Sequence, residues 1–213
     1  MTQPSRLNDL TLDQFAEALA AKSATPGGGS LAAYMVACGA ATVSMAYRFT
    51  SGEKYAAVAA SMAARVEELD QTRRRALELV QLDSAAYDAV TAAFALPKAT
   101  EADKVARAAA VQQALKGALE VPFETMALGV AVLQLAVQGV SAINPNLASD
   151  CGSGALAALA GIESAAANVR INAASIKDAA YVQHKSEAAR AMSAAARKLA
   201  EQVRGVVQKH LGA

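Results

Sequence analysis

Apolar and polar positions recur along this chain with helical spacing almost from end to end. Thr11 and Gln14 fit a capping box, in which two side chains satisfy free backbone N–H groups, and open a short helix through about Ala21. A turn of one proline and three glycines, Pro26, Gly27, Gly28 and Gly29, precedes small apolar residues that predict a helix from about Ser30 to Arg48. Ser51 and Gly52 break that pattern. One very long helix is expected next, roughly Lys54 to Leu96, with the apolar ladder Val66, Leu69, Ala76, Leu77, Val80, Tyr87, Val90 and Phe94, and with Pro97 closing it. Thr100 and Asp103 resemble a second cap. The helix they start is expected to kink or break at Val121-Pro122, where the proline ring removes a backbone donor. An apolar helix follows from about Phe123 and ends before Pro145; Asn146 to Gly154 reads as a loop and helix start. The next helix runs to about Lys177, and a charged amphipathic helix ends the chain.

Two stretches, Ser23 to Tyr47 and Thr125 to Ser149, contain no charged residue. Both carry polar groups, among them Ser44, Gln134 and Gln138, and neither has the concentrated Leu, Ile, Phe and Val of a membrane span. Buried helices are therefore expected, and a helix apolar all round needs protein around it, from a core or a subunit interface. A homodimer follows as the expectation, with no membrane partner. Composition extends this picture: 54% of residues are hydrophobic, largely alanine, and only 4% are aromatic, which favours an all-α multihelical bundle as a single domain over residues 1–213. A formal charge of +1, without a basic stripe, argues against nucleic acid as a partner. Cys38 and Cys151 stand far apart and outside any C-x-x-C pattern; with no signal peptide apparent, a reduced, cytoplasmic protein is expected. No His, Cys and acid spacing matches a metal site.

Three features go beyond packing. Asp83 falls on the apolar ladder, three residues after Val80 and four before Tyr87, where a carboxylate is costly unless it is paired, hydrogen-bonded or used. Two readings stand for it: a buried acid satisfied by a facing Arg or Ser, or a pocket carboxylate with a raised pKa or a cationic ligand. Asn168 and Asn172 are four residues apart and share a helix face, which points to buried hydrogen bonding or to polar ligand recognition. Ser149 and Asp150 stand where a helix should begin and read first as an N-cap.

The ordered set TPGGGSLAA, then DSAAY on a long helix closed by LPK, then VPFE, then SD with NVRIN beginning eighteen residues after the Asp, covers nearly the whole chain. It resembles the C-terminal domain of formiminotransferase-cyclodeaminases and the stand-alone methenyltetrahydrofolate cyclohydrolases. The resemblance implies an all-helical subunit that dimerises and binds folate in a cleft near the dimer interface. It implies hydrolysis of 5,10-methenyltetrahydrofolate to 10-formyltetrahydrofolate, with the folate as substrate and no further cofactor. Release of ammonia from 5-formiminotetrahydrofolate, and a non-catalytic helical dimer that binds folate or protein, are the alternatives. In this light Asp83 is expected to stabilise the methenyl cation or take a proton from water, and Asp150 to position pterin or water, with reversal of the two open. Pro26, Gly27, Gly28, Gly29 and Ser30 would present a helix N-terminus to a pterin carbonyl, the glutamate or an oxyanion, and Ser149, Asn168 and Asn172 would complete the ligand contacts. Lys54 is expected to meet an oxygen of the intermediate or the glutamate tail; Glu53 departs from the basic residues that often follow the glycine in this family.

Overall fold

Six α-helices order the described residues, 6–212, of the computed structural model: α1 (Leu12–Ala20), α2 (Gly28–Arg48), α3 (Ala59–Ala95), α4 (Glu101–Gly139), α5 (Ala148–Ala173) and α6 (Ala179–Leu211). No strand occurs among those residues, as the alanine-rich composition predicts. Residues 1–5 and 213, the ends of the expected 1–213 domain, lie outside them. Both predicted capping boxes form, Thr11 with Gln14 at α1 and Thr100 with Asp103 at α4.

Elsewhere the boundaries depart from the sequence reading for local reasons. Gly52, at φ +86°, turns the chain into a 3-10 turn over Glu53–Tyr55, so Lys54 lies in that turn and α3 begins only at Ala59. α2 takes Gly28 and Gly29 into its own first turn. α4 runs unbroken through Pro122: the proline has no N–H for the Ala118 carbonyl one turn back, and Asn172 Nδ2 donates to that carbonyl at 2.7 Å instead. The single very long helix expected is thus one of three, since α3, α4 and α6 have 37, 39 and 33 residues. α5 is capped by Leu147 without a side-chain bond, which puts Ser149 and Asp150 in its first turn and not at the cap.

α2 and α5 run antiparallel and in close contact. A Cβ on Gly39 would come within 2.7 Å of the Gly154 carbonyl oxygen, and one on Gly161 within 2.7 Å of the Ala32 carbonyl oxygen, so only glycine lets these backbones close. α3 packs on α2, α4 on α3, α5 and α2, and α6 on α4 and α5, around a core that includes Val36, Leu69, Leu119, Met126, Leu133 and Ile162. Gly28–Arg48 and Glu101–Ala142 are long and apolar enough to cross a membrane by length and composition, but 61% and 50% of their apolar windows are buried against the rest of the chain, as core helices require.

One side of α2 stays half-covered. Leu31, Met35, Cys38, Thr42, Met45 and Phe49 recur on it every three or four residues, and beside them run Ser153, Leu156, Ala160, Ala167 and Ile171 of α5. Phe49, Leu156 and Ile171 are 60%, 61% and 72% exposed, which leaves large apolar side chains against water on this side. Between Gly28 and Tyr47 α2 has no ionisable acid or base of ordinary charge, and between Cys151 and Val169 α5 has only Glu163, which Arg197 of α6 holds at 2.9 Å.

Candidate active site

The glycine turn meets α3 at Asp83. Chain entry is through a cis Thr25–Pro26 peptide, and a Cβ on Gly29 would overlap the Asp83 carboxylate, lying 2.6 Å from its Cγ. The third glycine therefore makes room for an acid rather than for an unusual dihedral angle. Ser30, expected among the ligand contacts, is fully buried. Its hydroxyl lies 3.0 Å from Asp83 Oδ2, 3.0 Å from the Val80 carbonyl oxygen and 3.3 Å from Ser84 Oγ. Of the two partners weighed for a stripe carboxylate, Arg or Ser, the fold supplies the serine. Burial pushes the Asp83 carboxyl above its ordinary range, and hydrogen bonds from the Ser30 hydroxyl and backbone N–H hold it back.

Asp83 opens onto a cavity of about 260 Å³ between the glycine turn, α3, α4 and α5. Gly27, Gly28 and Gly29 form one wall, Tyr87, Val90, Leu115 and Ala118 an apolar wall, and Asn168 and Asn172 a polar edge. Asn168 Nδ2 donates to the Ser164 carbonyl at 2.9 Å, and Asn172 Nδ2 is committed to Ala118. The two amide oxygens have no donor among the described residues, so this edge presents acceptors. Among the described residues, no Lys, Arg or His lines the cavity. Its chemistry suits a ligand that is cationic or rich in N–H donors and has a flat apolar body. A wider groove of about 380 Å³ between α3 and α4 is less suited, because Arg75, its basic group, is already bonded to Glu124 and Glu78.

The structure gathers Asp83, Gly27, Gly28, Gly29, Asn168 and Asn172 around this cavity, keeps Ser30 bonded to Asp83 but out of the cavity lining, and leaves Pro26, Lys54, Ser149 and Asp150 elsewhere. Pro26 lines a second cavity on the other side of the turn. Asp150 and Ser149 are at the opposite end of α5, about 27 Å from Asn168 at the usual helical rise. Lys54 is exposed beyond the C-terminus of α2, its Nζ 5.4 Å from the Tyr55 ring centre. Asp83 and Asp150 thus do not share a pocket within one protomer. Tyr87 was expected in the apolar ladder but is 48% exposed and lines the cavity; its position four residues after Asp83, on the same face of a helix, is the signal that finds it.

Residues 11–191 match the family model described as Formiminotransferase-cyclodeaminase. The chain is 38% identical over 194 residues to a methenyltetrahydrofolate cyclohydrolase of Methylorubrum extorquens, covering 91% of this chain and 93% of that protein. It is 37% identical over 183 residues to the formimidoyltransferase-cyclodeaminase of Sus scrofa; that match takes in 80% of this chain and 32% of the pig protein, so the chain spans about a third of this longer relative. A crystal structure of a formiminotetrahydrofolate cyclodeaminase from Thermotoga maritima has the same fold, with a TM-score of 0.85 at 25% identity over 96% of this chain and 98% of that one.

Proposed function

The chain belongs to the formiminotransferase-cyclodeaminase family, and we propose that it is a folate one-carbon enzyme that hydrolyses 5,10-methenyltetrahydrofolate reversibly to 10-formyltetrahydrofolate. One observation carries this: Asp83 faces a cavity that, among the described residues, has no basic side chain to neutralise it. The methenyl carbon belongs to a delocalised N–C–N cation, which supplies the missing positive charge. Water adds to that carbon and gives up a proton to Asp83; the C–N5 bond then breaks as N5 takes a proton and the C–O bond becomes a carbonyl. One cation and one water become one neutral formamide and one proton. The pterin's N–H groups match the acceptor edge of Asn168 and Asn172, and Tyr87 offers its ring to the flat body.

The Methylorubrum extorquens cyclohydrolase is matched over nearly its full length, which favours hydrolysis. The likeness to the Thermotoga maritima structure keeps deamination as the second reading. Purified protein incubated with each folate separately distinguishes them by the methenyl chromophore. Loss of the chromophore from the methenyl compound, undiminished by EDTA because no metal is used, is the expected result; gain from the formimino compound alone would make it a cyclodeaminase, and no change in either would make it a binder.

The same reading includes a cytoplasmic homodimer formed through the uncharged face of α2 and α5, which buries Phe49, Leu156 and Ile171. A twofold axis across the antiparallel pair turns the end that carries Lys54, Ser149 and Asp150 towards the partner's glycine turn. In that arrangement Lys54 and Asp150 act on the substrate held by the other subunit's Asp83, Asn168 and Asn172.

A further inference from the structure

Hydrolysis of the methenyl cation releases one proton per turnover, and the substrate covers the front of the acid that receives it. Behind Asp83 the structure holds two hydroxyls and a second space. Ser30 Oγ is 3.0 Å from Asp83 Oδ2, and Ser84 Oγ is 3.3 Å from Ser30 Oγ. Ser84 in turn borders the second cavity, about 380 Å³ between α1, the glycine turn and α3, together with Gln14, Pro26, Gln81 and Asp88. Both serines are buried, Ser30 at 0% and Ser84 at 6% exposure, so neither hydroxyl trades its partners for bulk water except where Ser84 meets this cavity.

We propose that Ser30 and Ser84 relay the proton from Asp83 through α3 to the second cavity, which makes that cavity the proton exit of the enzyme. The step balances without any other reactant. Asp83 Oδ2–H donates its proton to Ser30 Oγ as Ser30 passes its own hydrogen to Ser84 Oγ; Ser84 releases its hydrogen to solvent or to the Asp88 carboxylate. Only O–H bonds break and form, and Asp83 is left ionised for the next water. A hydroxyl has one hydrogen and several acceptors in reach here, so the chain must reset by rotation. Ser30 donates that hydrogen to Asp83 when Asp83 is ionised; once Asp83 is protonated the hydrogen swings past the Val80 carbonyl, 3.0 Å from Ser30 Oγ, to Ser84 Oγ, the orientation from which the transfer runs. Among the described residues, the front cavity is lined by glycines from the turn and the start of α2, by Thr25, by Leu115 and Ala118 of α4 and by Asn168 and Asn172 of α5, and Tyr87 on α3 is its one titratable group besides Asp83.

The inference rests on the hydrolytic reading, and the test separates the two. Turnover of the methenyl compound at saturating concentration is measured for the wild type, Asp83→Asn, Ser84→Ala and Ser84→Thr across pH and at several buffer concentrations. Ser84→Ala is expected to lower kcat about tenfold, the rate equivalent of one hydrogen bond, with KM unchanged and with a rate that now rises with buffer concentration. Ser84→Thr, which keeps the hydroxyl, should restore the wild-type rate. Ser84→Ala at full speed with no buffer dependence overturns the relay alone, as does an equal loss in Ser84→Ala and Ser84→Thr. An inactive wild type, or an Asp83→Asn enzyme as fast as wild type, overturns the hydrolytic reading and the relay with it.

Discussion

Asp83 is under two opposed pressures, and their balance sets both its stability cost and its use. Burial favours the neutral acid, while the two hydrogen bonds from Ser30 favour the carboxylate. Burial is the larger, so the folded protein keeps the proton to a higher pH than the unfolded chain, whose aspartate ionises near the ordinary value of 3.8. Stability from this group is therefore full below that value and is lost as pH rises through the folded value. In the proposed hydrolysis activity runs the other way, since there the ionised form attracts the cation and takes the proton. Asp83→Asn should lower turnover by roughly 10²- to 10⁴-fold. Its melting temperature should exceed that of the wild type at neutral pH, with the gap closing towards acid. Melts followed by circular dichroism across pH check this, and a variant that melts early at neutral pH yet turns over normally would show a structural acid. The anomaly at Asp83 was legible in the sequence because ladder phase is local. Its partner was not, since Ser30 lies 53 residues away and only the tertiary fold makes them neighbours.

At the scale of elements, the same contrast between local and distant causes decides what a sequence discloses. The capping boxes at Thr11 and Thr100 close within three residues and set the starts of α1 and α4 where the pattern predicts. Pro122 reads as a break for an equally local reason, but the Ala118 carbonyl it leaves without a donor is served by Asn172, 54 residues further along the chain from Ala118. This gives Asn172 two faces: the amide N–H₂ repairs α4, and the oxygen is left for the cavity. It also makes Pro122 and Asn172 an energetically coupled pair. Asn172→Ala should cost about 1–3 kcal/mol in urea unfolding, the penalty for stranding the Ala118 carbonyl. In a Pro122→Ala background, where an alanine N–H serves that carbonyl within the helix, the same change should cost distinctly less. Equal costs in the two backgrounds would mean that Asn172 contributes through packing and not through the carbonyl. Ser149 and Asp150 fail as a predicted cap because the chain enters α5 through a preceding 3-10 turn at Pro145–Leu147, which already shapes the helix start.

The whole molecule explains why most of the expected site gathers at one end and Lys54, Ser149 and Asp150 at the other. α2 and α5 are antiparallel and each about 30 Å or more in length, so a glycine turn at the start of one and an acid at the start of the other are necessarily far apart. No rearrangement of a single subunit brings Lys54 and Asp150 to Asp83 without dismantling the core. A second copy does so if the uncharged α2 and α5 faces meet across a twofold axis, and the exposed Phe49, Leu156 and Ile171 supply the reason for them to meet. Complementation tests this directly. Asp83→Asn and Asp150→Asn subunits, carrying different tags and produced together, yield a mixed dimer in which one site has both substitutions and the other has neither. Each parent dimer should be impaired, and the purified mixed dimer should recover about half of the wild-type activity, because one of its two sites is intact. No recovery, with both parents impaired, would place the two acids in a common site of one subunit, against the separation along α5. A fully active Asp150→Asn parent would remove Asp150 from the chemistry and leave Asp83 as its only acid.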